Sequence, residues 1–196
     1  MNTQVALLRI NRCFVNDTNP VLQTVDDCEI SGNCFFSSVT TTVDYNDSCM
    51  LYGLINGTMF RKASSDILLR KLAVKFVKRN KTKKISVHSD FTFEDIVCAS
   101  QEDNKDLGNN FNEYIEIMGM NTTWADETII QATSSLLKAE IKICCLSRGM
   151  ENPNWNTVSP INPNKQNKFP EIVLGQMNQN HFVGTRKLFV DDTMYW

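Results

Sequence analysis

The stretch SGNCFFSSV, Ser31 to Val39, sets one cysteine between a Gly-Asn turn and a segment able to begin a helix. A cysteine attacks as thiolate, and its pKa must fall from about 8.5 into a range of roughly 3.5 to 7.5 before it does so near neutrality. A helix starting at Cys34 would point its first unpaired N–H groups toward the sulfur. Gly32 would let backbone amides approach a substrate carbonyl closely, the arrangement an oxyanion hole needs. The run Thr40, Thr41, Thr42, Val43 is β-branched and a poor helix former, so packing by Phe35 and Val39 must hold the helix. The alternative is that Cys34 is one more buried thiol.

A nucleophilic cysteine requires a base, and the chain has only two histidines, His88 and His181. His88 lies in KKISVHSDF without an apolar frame and reads as a surface histidine. His181 follows a polar turn in NQNHFVGT and opens a strand, whose end can present an imidazole to a cleft. Composition alone leaves the Cys34–His181 pairing and a purely structural reading both open.

The remaining composition narrows the class. A chain of 196 residues, 42% hydrophobic and 21% charged, suits one domain spanning 1–196. A net charge of -2 and a pI near 5.7 speak against nucleic acid as partner. No run approaches the roughly 18 apolar residues of a membrane span, and the N-terminal stretch lacks a signal peptide's pattern. A cytoplasmic location is expected, the host cytosol if the source is a virus or an intracellular bacterium. Seven scattered cysteines match neither a disulfide framework nor zinc-ligand spacing, so reduced thiols and no metal are expected.

Helical spacing predicts a helix through SSDILLRKLAVKFVKRN, capped by Ser64 or Ser65, with Asp66 and Lys78–Arg79 at the ends the macrodipole favours and a broad apolar face of Ile67, Leu68, Leu72, Val74 and Phe76. Two more helices are expected in NNFNEYIEIM and ADETIIQATSSLLKAE. IKICCLS, EIVLG and HFVGTRKLFV read as strands. The intervening Asn152–Pro170 reads as a surface loop from its prolines and asparagines, with Trp155 exposed for partner contact. Trp124 reads as a hydrophobic anchor. Helices mainly before strands predict an α+β fold.

Four stretches in order carry a resemblance: SGNCFFSSV at Cys34, the Leu69–Arg70 pair, YIEIMGMNTTWADETIIQATSSLLKAEIKIC from Tyr114 to Cys144, and NHFVG at His181. Together they resemble the ovarian tumour (OTU) family of cysteine proteases, over about residues 26–190. The resemblance implies a papain-like fold with a small central sheet between helices, and hydrolysis of the isopeptide bond after the C-terminal glycine of ubiquitin or a ubiquitin-like modifier, by a monomer without cofactor. It implies Cys34 as nucleophile, His181 as base, and Ser31, Gly32 and Asn33 as the oxyanion-hole turn. Two positions depart from the family pattern: Ser31 replaces its usual Asp, and Val183 its usual Asn or Asp after the histidine. The imidazole's orienter is then Asp27, with Asp26 or Asn180 as alternatives, or the enzyme works as a dyad. A catalytically weak ubiquitin-binding relative and a viral-type polyprotein protease are the other readings.

Overall fold

Two seven-residue strands rich in β-branched and aliphatic side chains form the centre: β2 (Glu140–Leu146) and β4 (Glu171–Met177). They run parallel, in register from Glu140 opposite Glu171 to Leu146 opposite Met177. Both faces are covered, as parallel pairs require. The computed structural model describes residues 3–17, 21–24, 31–46, 65–86, 89–147, 152–161, 169–178 and 181–188. β3 (Asn154–Val158) pairs antiparallel with β2, and β5 (His181–Val183) antiparallel with β4. The sheet order is β3-β2-β4-β5, which leaves β5 at an edge. β1 (Leu22–Thr24) and β6 (Thr185–Lys187) make a separate two-stranded ribbon.

Alternation along the strands divides the core into two. On one face Cys144, Leu146, Val173, Met177 and Val183 meet Ala6, Ile10 and Phe14 of α1 (Thr3–Asp17), which recur every fourth residue. On the other, Ile141, Ile143, Ile172, Leu174 and Phe182 join a larger cluster. It takes Phe35, Phe36 and Val39 from α2 (Cys34–Asn46) and Leu69, Ala73 and Val77 from α3 (Ser65–Arg79). The fold is the expected α+β arrangement of a small mixed sheet between helices.

Caps set the helix boundaries. α4 (Phe93–Asp103) opens with a reciprocal capping box between Thr92 and Asp95, and Asn110 caps α5 (Phe111–Met118) by accepting the amides of Asn112 and Glu113. Asp126 caps α6 (Glu127–Leu137) through the Ile129 amide while accepting the Tyr114 hydroxyl at 2.9 and 3.0 Å. Burial pushes the Asp126 carboxyl up, against the opposing pull of those donors. It also pushes the Tyr114 phenol up, with the Asp126 charge adding to the effect.

Two expectations fail. Residues 154–158 form the edge strand β3 rather than loop, and Trp155 is half-buried opposite Cys144, its ring 5.9 Å from that of Phe14. It is a packing residue on the α1 side. The buried stripe of α3 includes Leu69, Arg70, Ala73, Val74 and Val77, so of the apolar face read from the sequence Val74 is buried and Ile67, Leu68, Leu72 and Phe76 are half-buried. Trp124 does pack, half-buried, against the larger cluster.

Candidate active site

α2 begins at Cys34, and the turn before it is closed twice upon Ser31. The Cys34 amide donates to the Ser31 carbonyl at 3.1 Å, and the Asn33 amide reaches Ser31 Oγ at 3.4 Å. The Asn33 carbonyl accepts the first helical hydrogen bond, from the Ser37 amide, so Asn33 stands at the cap and Cys34 at the helix's electropositive end. Two amides of the turn expected to form the oxyanion hole are thus engaged within the turn itself.

The helix continues despite its threonines. Thr40 Oγ1 donates to the carbonyls of Phe36 and Ser37, while Phe35, Phe36 and Val39 are fully buried. Phe35 packs edge-on against Phe182 of β5, centroids 5.2 Å apart. Edge strand β5 has an outward amide to satisfy, and the Phe182 N–H donates it to Cys34 Sγ at 3.5 Å. The sulfur therefore lies against the backbone of the residue that follows His181. Cys34 and His181 are 1% and 4% exposed. The next strand is tied to α2 as well: the Thr185 amide donates to Thr42 Oγ1 at 2.9 Å, and the Thr185 hydroxyl to the Val173 carbonyl at 2.7 Å.

Gly32 is required by close approach. A Cβ there would collide with the Thr122 carbonyl carbon and oxygen and lie 2.6 Å from the Thr123 nitrogen. Behind this contact sits Arg70, 1% exposed. Its guanidinium donates to the carbonyls of Gly32 (2.6 Å), Thr123 (2.9 Å) and Met118 (3.0 Å) and to Asn33 Oδ1 (3.1 Å), and it covers the Phe36 ring at 4.5 Å. Asp66 accepts from Asn33 Nδ2 and from the Ser37 hydroxyl. Burial lowers the Arg70 pKa to about 10, and the Cys34 and Asp66 charges oppose that shift. It remains a cation at neutral pH.

The structure thus brings Cys34, the Ser31–Gly32–Asn33 turn and the strand bearing His181 together. Asp26, Asp27, Asn180 and His88 lie outside the described residues. Val183 is 1% exposed and packs in the α1 cluster, so its side chain contributes apolar packing and no hydrogen bond to an imidazole. Among the described residues, no three His, Cys, Asp or Glu side chains gather as metal ligands, no cysteine is in a disulfide, and no helix is long and apolar enough to cross a membrane. The sequence reading assigned no role to Asp66 or Arg70 in this site. The readable signal was a charge at position 70 inside a stripe otherwise apolar at 69, 73, 74 and 77.

Known structures share this fold. The OTU domain of OTUD1 superimposes with a TM-score of 0.57 at 14% identity, covering 94% of this chain and 99% of that one. The Hazara virus OTU, solved bound to ubiquitin, gives 0.51 at 14% identity, covering 86% and 83%. An OTU deubiquitinase from Wolbachia pipientis wMel, also bound to ubiquitin, gives 0.50 at 10% identity, covering 85% and 96%. At such identities the likeness shows the fold. A search of curated proteins finds no match. The family model for OTU-like cysteine proteases matches residues 30–182, from just before the cysteine turn into the histidine strand, and the chain belongs to that family.

Proposed function

We propose that the protein is a deubiquitinase that hydrolyses the isopeptide bond after the C-terminal glycine of ubiquitin or a ubiquitin-like modifier. The observation that carries this reading is the contact of Cys34 Sγ with the backbone of β5 one residue from His181, at the start of a helix, within an OTU-family chain. The ubiquitin found on the Hazara virus and Wolbachia OTU domains supports the choice of substrate.

In this reading His181 holds the proton drawn from Cys34. The thiolate attacks the glycine carbonyl, and the carbon–nitrogen bond breaks as the lysine amine leaves with a proton from His181. Water, deprotonated by the same imidazole, then hydrolyses the thioester. Amides of the Ser31–Cys34 turn stabilise the tetrahedral oxyanion once it displaces the Ser31 acceptors. Asp27 remains the favoured orienter of His181, with Asp26 or Asn180 as substitutes and a dyad as the alternative. The enzyme acts as a monomer in the cytoplasm.

Val183 buried where the family usually places a polar residue, together with amides closed on Ser31, favours a second reading: a weakly catalytic ubiquitin-binding relative. Turnover of ubiquitin carrying a C-terminal fluorophore decides between them. The enzyme reading expects multiple turnovers that vanish in Cys34→Ala, and binding without turnover contradicts it. Cleavage of an unrelated peptide with equal efficiency would point to a polyprotein protease instead.

A further inference from the structure

Asp66 and Arg70 are four residues apart on α3 and therefore one turn apart on the same face. They take opposite ends of one side chain: Asn33 Oδ1 accepts from Arg70 Nε, and Asn33 Nδ2 donates to Asp66. The two charges fix which way the amide faces. Arg70 also grips the Gly32 carbonyl and reaches across to Met118 and Thr123, so a single guanidinium joins the cysteine turn to the segment between α5 and α6.

Resting on the deubiquitinase reading, we propose that Arg70 is a positioning residue for catalysis, which sets the oxyanion turn through Gly32 and Asn33 and keeps a positive charge behind Cys34. Stability alone is a weak reason for this arrangement. Taking a cation out of water costs several kcal/mol before its partners compensate, and well-packed apolar replacements for buried ions are often neutral or stabilising. The alternative use of such a group is to fix geometry. Three of its four acceptors are backbone carbonyls, and one of these belongs to Gly32, whose neighbours leave no space for a side chain. The turn is held both by hydrogen bonds from Arg70 and by steric contact with the Thr122–Thr123 backbone that Arg70 also binds. Arg70 bonds both residues that precede Cys34, so its positive charge lies near a sulfur that also has Asp66, through Asn33, and the His181 strand as neighbours, and a nearby cation favours the thiolate.

Arg70→Lys and Arg70→Met separate the two effects. Three readouts apply: kcat and KM on ubiquitin with a C-terminal fluorophore, the pH midpoint of Cys34 alkylation by iodoacetamide, and the melting temperature. Arg70→Met is expected to lower kcat about 100-fold, the scale of a misplaced reacting geometry. KM should stay within a few-fold, and the alkylation midpoint should rise. Lysine keeps the charge but not the fork, so Arg70→Lys should leave the midpoint near wild type while kcat still falls at least about tenfold. If Arg70→Met does not fold, Asn33→Ala, which spares the cation and its three carbonyls, should lower kcat without moving the midpoint. Wild-type kcat and midpoint in the folded variants, or a change in melting temperature alone, overturn the proposal. A wild-type chain that alkylates normally but never turns over ubiquitin refutes the deubiquitinase reading instead, and the alkylation midpoints of the variants still decide the role of Arg70.

Discussion

The two halves of the site are held by different forces. The cysteine turn is fastened by charge: the buried Arg70 and the half-buried Asp66 on α3 grip Gly32 and Asn33. The histidine strand is fastened by neutral contacts, namely backbone pairing with β4, Phe182 on Phe35 and Val183 in the α1 cluster. Hydrogen bonds with one charged partner are roughly twice as strong as neutral ones. The cysteine side is therefore held through charged side-chain bonds, and the histidine side through neutral backbone pairing and packing.

The largest effect tests the assignment on the histidine side. His181→Ala should cut turnover by several orders of magnitude, as loss of one member of a catalytic unit commonly does, while His88→Ala stays near wild type. Comparable losses in the two variants would break the assignment.

A glycine on each side sharpens the contrast. Gly32→Ala forces a methyl group into the backbone of Thr122 and Thr123, so the turn itself has to move. Its kcat should fall about 100-fold. In Gly175→Ala the added carbon would lie 2.6 Å from Val183 Cγ2 and 3.1 Å from Ile10 Cγ2, which are side-chain atoms able to shift. That variant should lose about 1–3 kcal/mol of stability and keep kcat within about tenfold of wild type. A kcat loss in Gly175→Ala equal to that in Gly32→Ala would erase the distinction.

The smallest expected effect concerns the polar support behind the site. Burial is the main cause that raises the Asp126 carboxyl pKa, so the folded chain binds that proton more tightly than the unfolded chain does. Its contribution to stability is full below the unfolded carboxylate pKa and is lost as pH rises through the folded one. Asparagine caps a helix as well as aspartate and can still accept the Tyr114 hydroxyl. Asp126→Asn should thus compare more favourably with wild type at pH 7 than at pH 4 in thermal melts. The opposite trend would mean that the carboxylate is net stabilised by its donors.

Much of the fold is written in local patterns. The apolar runs of IKICCLS and EIVLG become the central strands, and Asp66 with Lys78 and Arg79 does mark the ends of α3. Edge strand β3 was hidden because Asn-Trp-Asn-Thr-Val lies between Pro153 and Pro160 and buries little, so its turn-forming neighbours dominated the reading. Helix α1 and the Thr92–Asp95 capping box were legible but unread: Ala6, Ile10 and Phe14 keep helical spacing, and T-x-x-D is a helix-start pattern. In the site, Cys34 stood out by its Gly-Asn flank and His181 because the chain has only two histidines. Arg70 acts through acceptors 37 to 53 positions away in sequence, and no local pattern announces such partners. Asp27 remains a proposal beyond the described residues.

Incubation with ubiquitin bearing a C-terminal electrophile tests the central claim most directly, because it interrogates nucleophile and modifier in one step. The account predicts a single covalent adduct, mapped by mass spectrometry to Cys34 and absent from Cys34→Ala. An adduct at Cys28 or Cys49, or no adduct with a chain whose Cys34 is readily alkylated by iodoacetamide, would contradict it.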